Sequence, residues 1–238
     1  MPQVTSMSTK SVTKYRDRLL SESWEQRRRR VRKIITTLKQ TYPGARLELN
    51  FPNPLELLIA LILAARTRDE LVNAITPELF RRYRIAADWA REKPAVLHKL
   101  LRPINFYRRK TRAIQKACRV LAEKFGGRVP DRPEDLLTLP GVGRKTANIL
   151  LGNAFGQPAI GVNTHVARVS QRLGLTKHDD PEQIEADLVK IVPRKEWVKF
   201  CHLLQFHGGR VYVARAPDYP HCSINNLCPY PKKTKVKT

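Results

Sequence analysis

From residue 54 to residue 207 the chain is a succession of segments with apolar residues at helical spacing, separated by short joints rich in Pro, Gly and Asp. Alternation of period two never lasts long enough to build a sheet. The spacing predicts helices over 54–66, 68–81, 94–101, 106–125, 133–139, 143–155, 163–173, 181–191 and 195–207. Ahead of them, Arg27 to Arg30 with Arg32 and Lys33 open a helix that runs to about Gln40, with Val31, Ile34, Ile35 and Leu38 on its apolar face. Tyr42-Pro43-Gly44 ends that helix, Gly126-Gly127 stops the one over 106–125, and Asp180-Pro181 is a helix start, an N-cap followed by proline in the first turn. The expected fold class is all-α.

Composition narrows the function. The 238 residues are 42 % hydrophobic, enough for a sizeable core. The longest mostly apolar run, Pro54 to Ala65, falls far short of the roughly 20 residues that span a bilayer. No apolar segment of the kind found in secretory signals follows the N-terminus, so no membrane and no export are expected. Forty-five Lys and Arg against 21 Asp and Glu leave a net charge of +24. A surface this basic attracts polyanions, and nucleic acid is the expected partner because phosphate neutralisation drives sequence-independent binding. Residues 1–23 and 231–238 read as disordered basic tails. The first could serve as a DNA-binding arm or as an organelle address. The arginine run reads as a phosphate-facing or solvated helix side, with a localisation signal as the alternative. A disulfide framework is not expected for Cys118, Cys201, Cys222 and Cys228. Cys118 belongs to a core helix face, and Cys222 with Cys228 looks like half of a metal site.

The segment with the most chemical content is Leu139-Pro140-Gly141-Val142-Gly143-Arg144-Lys145-Thr146-Ala147-Asn148. A short helix meets a Pro-Gly-x-Gly turn, and a second helix begins at once. The glycines let the backbone approach a ligand, and the new helix presents unpaired N–H groups and its positive dipole end, with Arg144 and Lys145 adding charge. Such contacts grip a phosphate backbone without reading sequence. The alternative is a plain helical hairpin. Downstream, Asn163 in Val162-Asn163-Thr164-His165 is placed to cap a further helix, and His165 reads as a structural hydrogen-bonding group before a catalytic one.

The hairpin Leu139–Asn148, then Ala154-Phe155-Gly156 and Val162-Asn163-Thr164-His165, closely resembles the endonuclease III family of helix-hairpin-helix DNA glycosylases and AP lyases. The resemblance runs from about Arg28 to Tyr230 and takes in Glu48-Leu49-Asn50-Phe51, Leu57-Leu58-Ile59-Ala60 and Gln205-Phe206-His207-Gly208. It implies two helical domains flanking a DNA-binding cleft: a six-helix domain over 47–157 holding the hairpin, and a second from 24–46 plus 158–230. In that family a lysine just after the hairpin attacks C1′ of a damaged pyrimidine nucleotide, the base leaves, a Schiff base forms and β-elimination nicks the strand. Lys145 stands at that position. As a nucleophile it needs a pKa lowered by nearby cations or desolvation, which Arg144 and the helix N-terminus favour. The competing assignment is one more phosphate contact. Gly141, Gly143, Arg144, Thr164 and His165 are carried over as DNA contacts.

Departures from the family pattern limit the carry-over. Asn163 stands where the family has an aspartate, and an amide keeps the N-cap but supplies neither charge nor base. The loss of a placed carboxylate costs roughly 10²–10⁴ in rate, so base excision is expected to be weak unless another carboxylate, with Asp69 a candidate, takes over. An abasic site has no base to expel, so lyase activity is expected to outlast glycosylase activity. The family holds a [4Fe–4S] cluster on four cysteines, whose spacing here reads Tyr212-x6-Tyr219-x2-Cys222-x5-Cys228. No cluster is expected, because such a cluster needs four thiolates. Aromatic packing of Tyr212 and Tyr219 is expected in its place, with a zinc site on Cys222, Cys228 and His221 or His207 as a minor alternative.

Arg66 stands where the family usually has glutamine, and Phe106 where it usually has leucine. Both suit a role in filling the gap left by an extruded nucleotide. For Phe106 the alternative is a core aromatic. Arg108, Arg109, Lys110 and Arg112 read as a phosphate-binding rim. The expectation is a monomeric repair enzyme on damaged double-stranded DNA, located in the cytoplasm or nucleoid if bacterial, or in a nucleus or organelle. The alternative is a lesion- or structure-specific DNA-binding protein that kept the fold and lost the chemistry, or a glycosylase of altered specificity.

Overall fold

The computed structural model describes residues 22–213 and 218–230. The two basic tails therefore lie almost entirely outside the described residues. The exception is a correction: Glu22 and Ser23 belong to the folded part. The Ser23 hydroxyl accepts from the Gln26 N–H at 3.2 Å, and the Gln26 side chain accepts from the Ser23 N–H at 2.8 Å, a capping box that starts helix α1, Trp24–Thr41. Glu22 pairs with Arg30 at 2.7 Å and Arg27 at 3.6 Å. Burial would raise the Glu22 carboxyl, but the two guanidinium groups outweigh it and hold its pKa below the ordinary value. Among the described residues every regular element is helical, and no helix is long and apolar enough to cross a membrane.

The chain divides into two compact units, one of Met1–Arg46 with Val162–Thr238 and one of Leu47–Gly161. The Leu47–Gly161 unit is built on α2, Pro54–Ala64, whose apolar residues are buried on almost every side. Asn53 caps it by accepting from the Glu56 N–H at 3.0 Å, and Pro54 opens its first turn. Around α2 pack α3 (Asp69–Arg82), α6 (Tyr107–Lys124) and α8 (Arg144–Ala154). Two shorter helices, α4 (Ala86–Arg91) and α5 (Pro94–Leu100), lie against α6.

Helix α4 has no counterpart in the sequence reading. It is too short to show a period, and Asp88 holds its start by accepting from the N–H groups of Arg84 and Ile85. Trp89, fully buried, donates its indole N–H to the Tyr83 carbonyl at 3.2 Å. The predicted helix over 133–139 shortens to α7, Pro133–Leu136, because Thr138 and Leu139 close tight turns onto Asp135 and Leu136 instead. Gly126 and Gly127 both take positive φ and end α6 as expected.

In the other unit α11 (Trp197–Arg210) packs on α9 (Thr164–Arg172) and on α1, and α10 (Pro181–Ile191) packs on α1. Asp180 caps α10 by accepting from Glu182 and Gln183. This core holds two buried histidines, His202 and His207, and burial lowers each to about 4. For His202 the charge of Lys199 adds to the effect. Both are neutral in the folded chain and regain their ordinary pKa on unfolding, so the unfolded state binds more protons at acid pH. Stability is therefore present above about pH 6.5 and is lost as pH falls towards 4, by up to about 3 kcal/mol per histidine. Urea unfolding at pH 7 and pH 5 should show that loss, and His202→Gln should remove its share of the pH dependence.

Candidate active site

Within the Leu47–Gly161 unit the hairpin is held by Leu139 and Val142, both buried, with the Val142 N–H bonded to the Leu139 carbonyl at 3.0 Å. Gly141 has φ +86°, and a Cβ there would meet the Ala113 Cβ at 3.0 Å, so the position requires glycine for conformation and space together. Gly143 is different: it is the N-cap of α8 and a Cβ on it would meet nothing within 4 Å. The backbone is bare at this position. The Ala147 N–H bonds to the Gly143 carbonyl at 2.9 Å and closes the first turn. The N–H groups ahead of it lie at the positive end of the α8 dipole. Arg144 and Lys145 are exposed on that turn. Asp69, half-buried at the start of α3, is within electrostatic reach of Lys145. Burial raises the Asp69 carboxyl, Glu48 and Glu70 push it further up, and Lys145 pulls it back only in part.

Arg66 and Phe106 share a backbone property that their sequence gives no sign of. They are the two non-glycine residues with positive φ among the described residues, at 57° and 59°. An L-residue in this region costs on the order of 1–3 kcal/mol, and such strain gathers at functional sites. Both side chains are exposed, Phe106 to 60 %, so the core-aromatic alternative for Phe106 does not hold. The Arg66 guanidinium lies 5.9 Å from the centre of the Phe106 ring. Arg108, Arg109 and Arg112 are exposed behind Phe106, but Lys110 is not part of the rim. It is buried, and its ammonium donates to the Leu63 carbonyl at 2.6 Å and the Thr67 hydroxyl at 2.9 Å. A rim needs solvent, whereas α6 turns Lys110 inward, where burial lowers its pKa to about 8.

In the other unit Asn163 is the N-cap of α9. Its Oδ1 accepts from the N–H groups of His165 and Val166, each at 2.9 Å, and its Nδ2 donates to the Gln205 Oε1 at 2.8 Å. The amide is committed on both sides. Thr164 is exposed on the first turn of α9. His165 is held from behind: Nδ1 is 3.1 Å from the Arg168 guanidinium, and a Cβ on Gly208 would come within 3.0 Å of that same nitrogen. Its surroundings are those of a structural histidine. Gln205 is the partner of Asn163 that the sequence does not mark.

Residues 59–194 match the family model of the HhH-GPD superfamily of base excision DNA repair proteins. Endonuclease III of Synechocystis sp. is 46 % identical over 204 residues, covering 85 % of this chain and 93 % of that protein. This chain belongs to the HhH-GPD superfamily and is of endonuclease III type. Endonuclease III of Bacillus subtilis is 40 % identical over 188 residues, covering 79 % of this chain and 86 % of the relative. Among solved structures, a trapped endonuclease III–DNA covalent intermediate superposes with a TM-score of 0.82 at 42 % identity, over 87 % of this chain and 97 % of that one. A thermostable thymine-DNA glycosylase shares the fold with a TM-score of 0.78 at 23 % identity.

For an HhH-GPD protein of this type, the four cluster positions are the informative departure. Tyr212, Tyr219, Cys222 and Cys228 are all buried. The Tyr212 ring lies 4.7 Å from that of His207 and 5.4 Å from that of Tyr219, edge to face. The Tyr212 carbonyl accepts from Arg168 at 3.0 Å and Arg172 at 2.9 Å. The Cys222 sulfur lies 3.5 Å from His207 Nε2, whose Nδ1 is 3.0 Å from the Tyr42 hydroxyl, so α1 and the C-terminal loop are tied through one ring. The Cys228 thiol donates to the Arg172 carbonyl at 3.5 Å.

Burial pushes the Tyr212 and Tyr219 phenols well above their ordinary pKa, so both are neutral, and among the described residues neither hydroxyl makes a hydrogen bond of normal geometry. Two neutral phenols and two engaged thiols do not fit a [4Fe–4S] cluster, which takes four thiolates. His221, the alternative zinc ligand, is exposed and paired with Asp218 at 2.9 Å. His207 is already shared between Tyr42 and Cys222.

Proposed function

We propose that this chain is a DNA glycosylase and AP lyase whose main reaction is incision at abasic sites, with excision of oxidised pyrimidines weak. The observation that supports it most is the placement of Lys145: exposed, on the first turn of α8 after a bare-backbone hairpin, with the Asp69 carboxylate in electrostatic reach. The amine of Lys145 adds to C1′ of the open-chain sugar, water leaves, and a protonated imine forms. Loss of the C2′ proton to a base then breaks the C3′–O bond, the 3′ phosphate leaves with the electron pair, and water returns the lysine. A nucleophilic amine must first give up its proton, and Asp69 is the carboxylate offered for that step. Asn163 offers none, since its oxygen holds two backbone N–H groups and its nitrogen only donates.

Damaged double-stranded DNA is the proposed partner, gripped by Gly141, Gly143, Arg144 and Thr164, and by Arg108 and Arg109, with the net charge of +24 supplying a salt-dependent attraction. Arg66 and Phe106 are the proposed fillers of the stack. The proposed state is a monomer, and the bacterial relatives make the nucleoid the proposed place of action. The test is borohydride trapping on a duplex with one pre-formed abasic site. A covalent adduct is expected. Tight binding without an adduct would favour the second reading, a lesion-binding protein with an idle nucleophile, towards which the committed amide of Asn163 points.

The protein is further proposed to fold without iron. The purified chain should lack absorbance near 400 nm, and a chelator should leave its melting temperature unchanged. Tyr212→Ala should cost about 3–5 kcal/mol, as expected when a fully buried aromatic is removed. Stoichiometric iron after aerobic purification would refute this account of the loop.

A further inference from the structure

Arg66 and Phe106 come from loops far apart in sequence, yet the backbone around both is tied together. The Asn105 side chain donates to the Arg66 carbonyl at 2.7 Å, so the residue beside one strained position holds the other. Lys110 sits one turn into α6, where its N–H closes that turn onto the Phe106 carbonyl at 3.1 Å. Its ammonium crosses to the Leu63 carbonyl and the Thr67 hydroxyl, on either side of Arg66. Among the described residues no carboxylate pairs with this buried ammonium.

A buried charge without a counter-charge is an expensive way to fill space that a methionine would occupy at less cost. The negative end of α2, to which the Leu63 carbonyl belongs, offsets the cost only in part. Its other partner, Thr67, follows the strained Arg66 directly. From these contacts we infer that Lys110 and Asn105 are positioning residues that hold Arg66 and Phe106 set as a two-part wedge before DNA arrives. The inference rests on the proposed role of Arg66 and Phe106 in opening the duplex. A wedge already in place loses no ordering entropy on entry, and two strained backbones stay strained only where their surroundings over-determine them.

The test compares Lys110→Met and Asn105→Ala, each alone and combined with Phe106→Ala, by the rate of borohydride trapping. The substrates are an abasic site in duplex DNA and the same site in single-stranded DNA, which needs no opening. Each single variant is expected to slow trapping on the duplex about tenfold and to leave the single-stranded rate within about twofold, with no further loss when added to Phe106→Ala. Equal loss on both substrates, or losses that multiply with Phe106→Ala, would overturn the inference and leave Lys110 as a helix cap alone. Where Lys110→Met lowers the melting temperature sharply, Asn105→Ala decides, because its side chain is exposed. A parent protein that traps on neither substrate would defeat the lyase reading by itself. Fluorescence of 2-aminopurine beside the abasic site then reports opening directly, and the wedge still requires its loss in both single variants.

Discussion

Replacing Lys145 with alanine is expected to remove the borohydride adduct and strand incision at an abasic site, by at least about 10³-fold, while duplex binding falls by less than about tenfold. The two readouts separate because the DNA contacts proposed for the hairpin are groups that the substitution leaves in place: the N–H groups at the start of α8, the Gly141 and Gly143 backbone and Arg144. Lys145 is exposed, so the change should alter stability by no more than about 0.5 kcal/mol. Lys145→Arg sharpens the test. It restores the positive charge, but a guanidinium does not lose its proton in the accessible pH range and cannot form an imine. If charge were what position 145 supplies, arginine would rescue incision. If the amine is what matters, arginine binds DNA as well as the parent and traps nothing. An adduct that survives in Lys145→Ala would place the nucleophile elsewhere.

What sequence reading could reach in this protein follows from how far each signal extends along the chain. Helices α1, α6, α9 and α10 carry apolar stripes over several turns, and Asp180 and Asn163 announce their caps locally, so these elements were legible. Helix α4 spans six residues, less than two turns, and owes its place to Trp89 reaching the Tyr83 carbonyl, a tertiary reason that no period records. Lys110 follows Arg108 and Arg109 and reads as one more surface cation. Only the phase of α6 against α2 turns it inward, and that phase is not marked by composition. The strained backbones of Arg66 and Phe106 were hidden for a related cause, since a positive φ shows in sequence only when glycine supplies it. Gln205 lies 42 residues from Asn163, and the bond between them exists only once α11 has packed on α9.

That bond governs what should follow when the family's carboxylate is restored. In Asn163→Asp the Oδ1 keeps both backbone N–H groups, so the cap of α9 persists and the added negative charge at a helix N-terminus is favourable by about 0.3–1 kcal/mol. The second oxygen now faces the Gln205 carbonyl oxygen, and the Gln205 amide must turn to present its N–H₂ group. Turned, it donates to the carboxylate, which together with the cap holds the group ionised. The role proposed for a carboxylate here, stabilising the positive charge that develops on the sugar as the base departs, is then filled. Single-turnover excision of thymine glycol is expected to rise by roughly 10²–10⁴, and incision at a pre-formed abasic site to change by less than about tenfold, because no base leaves there. Asp69→Asn decides between two explanations of a smaller rise. If Asp69 already does the work of the missing carboxylate, Asp69→Asn abolishes excision in the parent and Asn163→Asp recovers it. If neither substitution moves excision, the protein does not take that base, and the lyase reaction remains its proposed activity.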